Sequence, residues 1–171
     1  MTVRVFSAIR AAVAVLLLAG GAHYVLPAAG QAVAPAAGQG HPAVAGNWLD
    51  HQGKAAVEVR PCGGEMCGAI MWLKDPLDPK GKPWRDILNP DTRMRARQVC
   101  GLQIIGGLKP DKNGVWTGGW VYDPEEGKSF NVEISLKDAN TLTVFGFAGV
   151  RLLSETMLWK RLPADQPRCK G

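Results

Sequence analysis

The chain has 171 residues, 20 of them basic and 15 acidic, a formal net charge of +5, and a 46% hydrophobic share that is enough to build a core. This size and composition exclude collagen-like and disordered classes and leave room for one domain rather than several. The basic excess is mild and contains no Lys/Arg block, so it argues only slightly for anionic partners and against nucleic acid.

Arg4 and Arg10 precede an apolar run over residues 11–22 that includes Val13, Val15, Leu16, Leu17 and Leu18, with small residues behind it. That order is a secretory signal. The run is shorter than the about 20 residues needed to span a bilayer, and the Ala/Gly/Pro-rich stretch over 27–42 does not extend it. The mature form is therefore expected to carry no membrane span. Small-x-small sites at 20–22, 30–32 and 32–34 define a signal and processing region over 1–34, with cleavage after Ala32 or Ala34 preferred, followed by a flexible linker over 35–44. Cys62 is the first cysteine, so none stands just behind the apolar run for lipid attachment, and Arg4 and Arg10 are not an adjacent twin-arginine pair. The expected address is periplasmic or secreted.

From Ala45 the pattern becomes short alternating runs divided by Gly, Pro, Asn and Asp, which is strand-and-turn punctuation. Strands are expected over 46–50, 55–60, 67–74, 99–108, 115–122, 128–137, 141–148 and 155–162. The clearest is 128–137, where Phe130, Val132, Ile134 and Leu136 face one way and Ser129, Asn131, Glu133 and Ser135 the other. The connections 109–114, 123–127 and 138–140 are too short for crossover helices, so neighbours are antiparallel and the order is an up-and-down meander. Eight such strands close into an all-β barrel over 45–162, with an open sandwich as the alternative and 163–171 as a C-terminal tail. The long stretch 75–98 is the exception to short spacing and suggests a purpose.

All four cysteines lie in the exported part, where oxidation and pairing are favoured. Three connectivities are formally possible. A hairpin places cross-strand Cα atoms about 4.5–5.5 Å apart, so Cys62 is expected to pair with Cys67, leaving Cys100 to Cys169. Both bridges read as structural, because Cys62-Gly-Gly-Glu-Met-Cys67 lacks redox spacing and no set of Cys and His has the spacing of a zinc site.

Gly46-Asn47-Trp48, Pro61-Cys62-Gly63, Cys67-Gly68-Ala69-Ile70 and Asp86-Ile87-Leu88-Asn89-Pro90-Asp91 are followed by Gly101-Leu102, Gly118-Gly119-Trp120, Asp123-Pro124, Gly127-Lys128 and Trp159-Lys160-Arg161. In combination these resemble the secreted bacterial family catalogued as domain of unknown function 2147, over residues 45–162. The resemblance implies a lipocalin-like β-barrel and carries no established activity, cofactor or catalytic residue. Gly46-x-Trp48 on the first strand with Arg161 on the last also resembles the lipocalin arrangement in which an arginine lies over a tryptophan at the closed end. A guanidinium stacked on an indole gains about 1 kcal/mol of cation–π attraction while donating to nearby carbonyls. That pair supports the fold and says nothing of function.

Catalytic centres are scarce. His23 and His41 precede the domain, only His51 belongs to it, and no nucleophile-elbow motif is present. Asp86 and Asp91 are a carboxylate pair whose convergence spacing alone does not show. The run 123–129 imitates the end of a P-loop, but Tyr122 replaces the first glycine and a strand follows, so it reads as a hairpin turn. Asp75 and Asp78 offer too few oxygens for calcium. No catalytic residue, metal or cofactor is assigned.

The loop 75–98 carries Lys80, Lys82, Arg85, Arg93, Arg95 and Arg97 against Asp75, Asp78, Asp86 and Asp91. Two roles compete for it: recognition of an anionic ligand by the arginines, or an internally paired lid in which Asp86 and Asn89 fix the turn and Arg95 or Arg97 anchors it. The expectation taken forward is a barrel that holds a small hydrophobic or amphipathic ligand at the mouth beneath this loop, with Trp72, Trp84, Trp116 and Trp120 as lining candidates and Arg93, Arg95 and Arg97 as contacts for an anionic end. The competing readings are an envelope structural or interaction protein with a filled barrel, and an enzyme built around His51. Oligomeric state is not assigned.

Overall fold

The computed structural model describes residues 42–169. The expected processing region 1–34 and linker residues 35–41 lie outside the described residues, as do Lys170 and Gly171. Eight strands follow in order: β1 Gly46–Leu49, β2 Ala55–Cys62, β3 Glu65–Leu73, β4 Gln103–Pro110, β5 Trp116–Asp123, β6 Lys128–Asp138, β7 Thr141–Phe147 and β8 Ser154–Leu162. Each pairs antiparallel with the next, and β1 pairs with β8 to close the barrel. Closure removes the exposed edges that an open sheet of these strands would present. Among the described residues no helix is long and apolar enough to cross a membrane.

The β4–β5, β5–β6 and β6–β7 hairpins are set by aspartates at their entrances. Asp111 Oδ1 accepts from the backbone N–H groups of Asn113 and Val115, Asp123 Oδ1 from Glu125, and Asp138 Oδ1 from Asn140. A short carboxylate that bonds the backbone two residues on nucleates a turn wherever a strand must reverse. The P-loop-like run is such a turn, joining β5 to β6. In the long loop Asp78 does the same for Lys80 and Lys82.

β4 begins at Gln103, four residues after the expected start, because the chain turns at Gly101 (φ 83°) and Cys100 is tied to Cys169. Cys62 bridges Cys67 across the β2–β3 hairpin, with Cα atoms 5.9 Å apart. The second bridge anchors the C-terminal tail. Its Cys169 N–H donates to Met71 O, Arg168 pairs with Glu58, and Asn47 Nδ2 donates to Pro163 O. Glu58 is held below the usual carboxylate range by its hydrogen bond from Arg168. The tail thus straps the outside of β1, β2 and β3, and Ala56 and Met71 are buried there although neither belongs to the interior cluster.

One end of the barrel is filled. Trp48, Met66, Leu108, Ile134 and Leu142 are fully buried, and Arg161 lies over the Trp48 ring with its Cζ 4.0 Å from the centroid. The guanidinium donates to the carbonyls of Ala43, Ala45 and Ala139, and the indole N–H donates to Val44 O. Gly46 is required here twice over. Its φ is +140°, and a Cβ at this position would sit 2.5 Å from an Arg161 nitrogen.

Candidate functional site

The opposite end of the barrel, where β2, β4, β6 and β8 begin and β1, β3, β5 and β7 end, is not filled. A cavity of about 570 Å³ enters the interior from this mouth. Val57, Ile70, Ile104, Phe130, Phe147 and Met157 form its walls, and Trp159 lies deepest along β8. A second cavity of about 420 Å³ lies under the long loop, between Leu73, Trp84, Ile87, Leu88 and Val99. The two share Lys54, Leu73, Val99, Pro124 and Glu125, so they adjoin at the mouth.

The long loop is positioned by a buried polar cluster. Asp86 is 0% exposed and accepts from Tyr122 Oη at 2.6 Å, from Asn89 Nδ2 at 2.8 Å, and from Arg97 Nε and Nη2, each at 2.8 Å. A buried carboxylate persists only when paired and hydrogen-bonded in this way. Tyr122 belongs to β5 and also lines the larger cavity, so the cluster ties the loop to the barrel wall. Burial, then the hydrogen bond to Asp86, pushes the tyrosine hydroxyl above its ordinary pKa. A second tie is steric: a Cβ at Gly127 (φ +66°) would sit 2.0 Å from Leu88 O, so the β5–β6 turn accepts the loop only as glycine.

The arginines of the loop are engaged within it. Arg93 pairs with Asp91, Arg95 Nε donates to Asn89 O, and Arg97 holds Asp86. Arg93 in turn keeps the Asp91 carboxyl below its ordinary range. Arg85 donates to Ala96 O. The loop is thus held together by its own charged side chains.

The tryptophans are spread over the molecule. Trp84 lines the smaller cavity and donates to Asp75 O. Trp72 pairs with Ala56 and lines neither cavity. Trp116 packs against the core where β5 begins, at the filled end. Trp120 is 41% exposed and lies over Gly106. The register shift between Trp116 and Gly119, with Gly118 at φ 73°, puts these last two on different faces of β5. Of the four, Trp84 alone lines either of these two cavities. Sequence reasoning missed Trp159, Met157, Phe130 and Phe147 as lining residues. The signal for Met157 and Trp159 was the period-two row Glu155, Met157, Trp159, Arg161 on β8, and for Phe130 the apolar face of β6; Phe147, at the end of β7, belongs to neither row. His51 and Lys54 stand at the rim, and among the described residues no three His, Cys, Asp or Glu side chains are grouped to hold a metal ion.

The closed antiparallel barrel with one open mouth can be compared with known proteins. The family described as "Uncharacterized protein conserved in bacteria (DUF2147)" matches residues 46–161. The chain belongs to this family. No curated protein matches it. The DUF2147 barrel is similar to the solved structure of protein HP1028 from the human pathogen Helicobacter pylori, described as belonging to the lipocalin family, with a TM-score of 0.62 and 21% identity over 71% of this chain and 84% of that one. At that identity the likeness is one of fold. The description of the DUF2147 family names no activity.

Proposed function

We propose that this protein is an exported carrier that holds one small hydrophobic or amphipathic molecule in the open half of its barrel. The observation that carries the reading is the apolar cavity of about 570 Å³ running from the mouth to Trp159. Its volume and lining are those of small-molecule sites, which are concave, largely apolar and formed in advance. A barrel packed throughout with side chains would leave no such space. The long loop serves as a lid, held to β5 through Asp86 and Tyr122 and bordering the mouth with Leu73 and Val99. Export to the periplasm or beyond is supported by two disulfides, which persist in oxidising compartments, and by the signal-like pattern before Pro35.

Native mass spectrometry of the protein purified from its own cell envelope, followed by solvent extraction, tests this reading. A retained small molecule released by solvent is expected. Protein mass alone under gentle conditions, with nothing extractable, contradicts it.

A further inference from the structure

Resting on the carrier reading, we infer that the ligand is an amphiphile with one anionic head, seated in the smaller cavity beneath the long loop against Lys54, Lys74 and Arg85 while its chain enters the barrel. The route for the chain is present, because the two cavities adjoin at Leu73 and Val99. The smaller cavity gathers the three cations Lys54, Lys74 and Arg85 and two carboxylates, Asp75 and Glu125. None of the three cations is in an ion pair among the described residues. One bound anion brings this lining to charge balance.

Two local features set these cations apart from ordinary surface charges. Lys54 and Lys74 stand directly opposite one another where β2 begins and β3 ends: the Lys74 N–H donates to Lys54 O at 2.8 Å, one pair beyond Ala55 and Leu73. Like charges directly opposite on antiparallel strands destabilise a sheet. The pair therefore costs stability in the empty protein, and an anion placed beside both offsets that cost. Arg85 is held in position, since its guanidinium donates to Ala96 O and its backbone bridges to Gln98. One bond does not exhaust the five N–H donors of a guanidinium, whose planar fork suits an oxyanion.

The apolar side of the same cavity is left to water. Trp84, Ile87 and Leu88 border it and are 40%, 63% and 52% exposed. The Trp84 N–H is already given to Asp75 O, so its ring offers apolar area rather than a donor. The methylenes next to a head group cover such surface favourably. Asp50, Asp123, Glu126 and Glu155 border only the larger cavity and repel an anionic head from it, which directs the head beneath the loop. Arg93, Arg95 and Arg97, expected from the sequence to meet an anion, line neither of these two cavities.

Three probes with one chain length separate head from tail: decanoate, n-decanol and decylamine, titrated by calorimetry below the aggregation concentration of each. Decanoate is expected to bind about tenfold more tightly than n-decanol at low salt, with decylamine weakest and the differences shrinking as salt is added. Lys54→Gln with Lys74→Gln, both exposed, is expected to weaken decanoate about fivefold, to leave n-decanol unchanged, and to leave the empty protein no less stable. Arg85→Lys keeps the charge without the fork and is expected to weaken decanoate about threefold. Lys112→Gln with Lys137→Gln, exposed at the filled end, makes the same change of net charge and is expected to leave decanoate binding unchanged. Decanoate binding no tighter than that of n-decanol, or weakened no more by the Lys54 and Lys74 pair than by the filled-end pair, overturns the inference while saturable binding keeps the carrier reading. Absence of saturable binding by all three probes overturns both.

Discussion

The guanidinium of Arg161 lies over the indole of Trp48, its Cζ 4.0 Å from the ring centroid, and joins the last strand to the first across the closing seam of the barrel. The two residues are direct cross-strand partners, so the contact that plugs the barrel also registers its closure. Arg161 further ties Ala43, Ala45 and Ala139 to this end.

Trp48→Ala is expected to cost about 3–5 kcal/mol, since a fully buried indole leaves a large cavity. Arg161→Ala is expected to cost less, about 1–3 kcal/mol, through lost hydrogen bonds and cation–π attraction. Denaturant unfolding of both single variants and the double variant checks this. A coupling of at least about 0.5 kcal/mol is expected, and strict additivity counts against the contact.

The two disulfides are expected to contribute unequally. Their sequence separations are 5 and 69 residues. By the loop-closure argument, Cys62→Ser with Cys67→Ser lowers stability by about 2 kcal/mol and Cys100→Ser with Cys169→Ser by about 4 kcal/mol. Thermal unfolding of each pair variant measures the order. Limited proteolysis is expected to release the tail around Arg168 only in the second.

The loop anchor makes a pH prediction. Tyr122 has its pKa raised in the folded state, by burial first and by Asp86 second. The protonated phenol is thus favoured by folding, so its contribution is present below the ordinary tyrosine pKa of about 10 and is lost as pH rises through the folded value. Tyr122→Phe is expected to flatten this alkaline limb of a stability–pH curve. On the acid side, Glu58 is lowered by Arg168, so its contribution is present above the ordinary value and lost as pH falls through the folded one. Glu58→Gln is expected to flatten that limb.

Much of this fold is readable from local chemistry. Strict alternation over β6 gives a half-buried strand, the aspartate-led turns give antiparallel neighbours, and a hairpin between Cys62 and Cys67 gives their bridge. The pairing of Asp86, Asn89, Arg95 and Arg97 within the loop follows from neighbouring opposite charges. Other features depend on places where regularity breaks. Gly118 turns Trp116 and Trp120 to different faces, and Gly101 delays β4, and neither event shows in a count of residues. The cavity was hidden for another reason: it is a deficit of side-chain volume among several strands, and no single strand records it.

If the open half of the barrel receives a ligand, filling that space with side chains abolishes binding. Titration with an apolar fluorescent probe such as N-phenylnaphthylamine is compared between the natural chain and two variants that fill the cavity from opposite walls, Ile104→Trp and Met157→Trp. Saturable one-to-one binding by the natural chain is expected, with its loss in whichever variants keep the native circular dichroism and cooperative unfolding. No saturable binding by the natural chain, or undiminished binding by a correctly folded filled variant, contradicts the carrier reading.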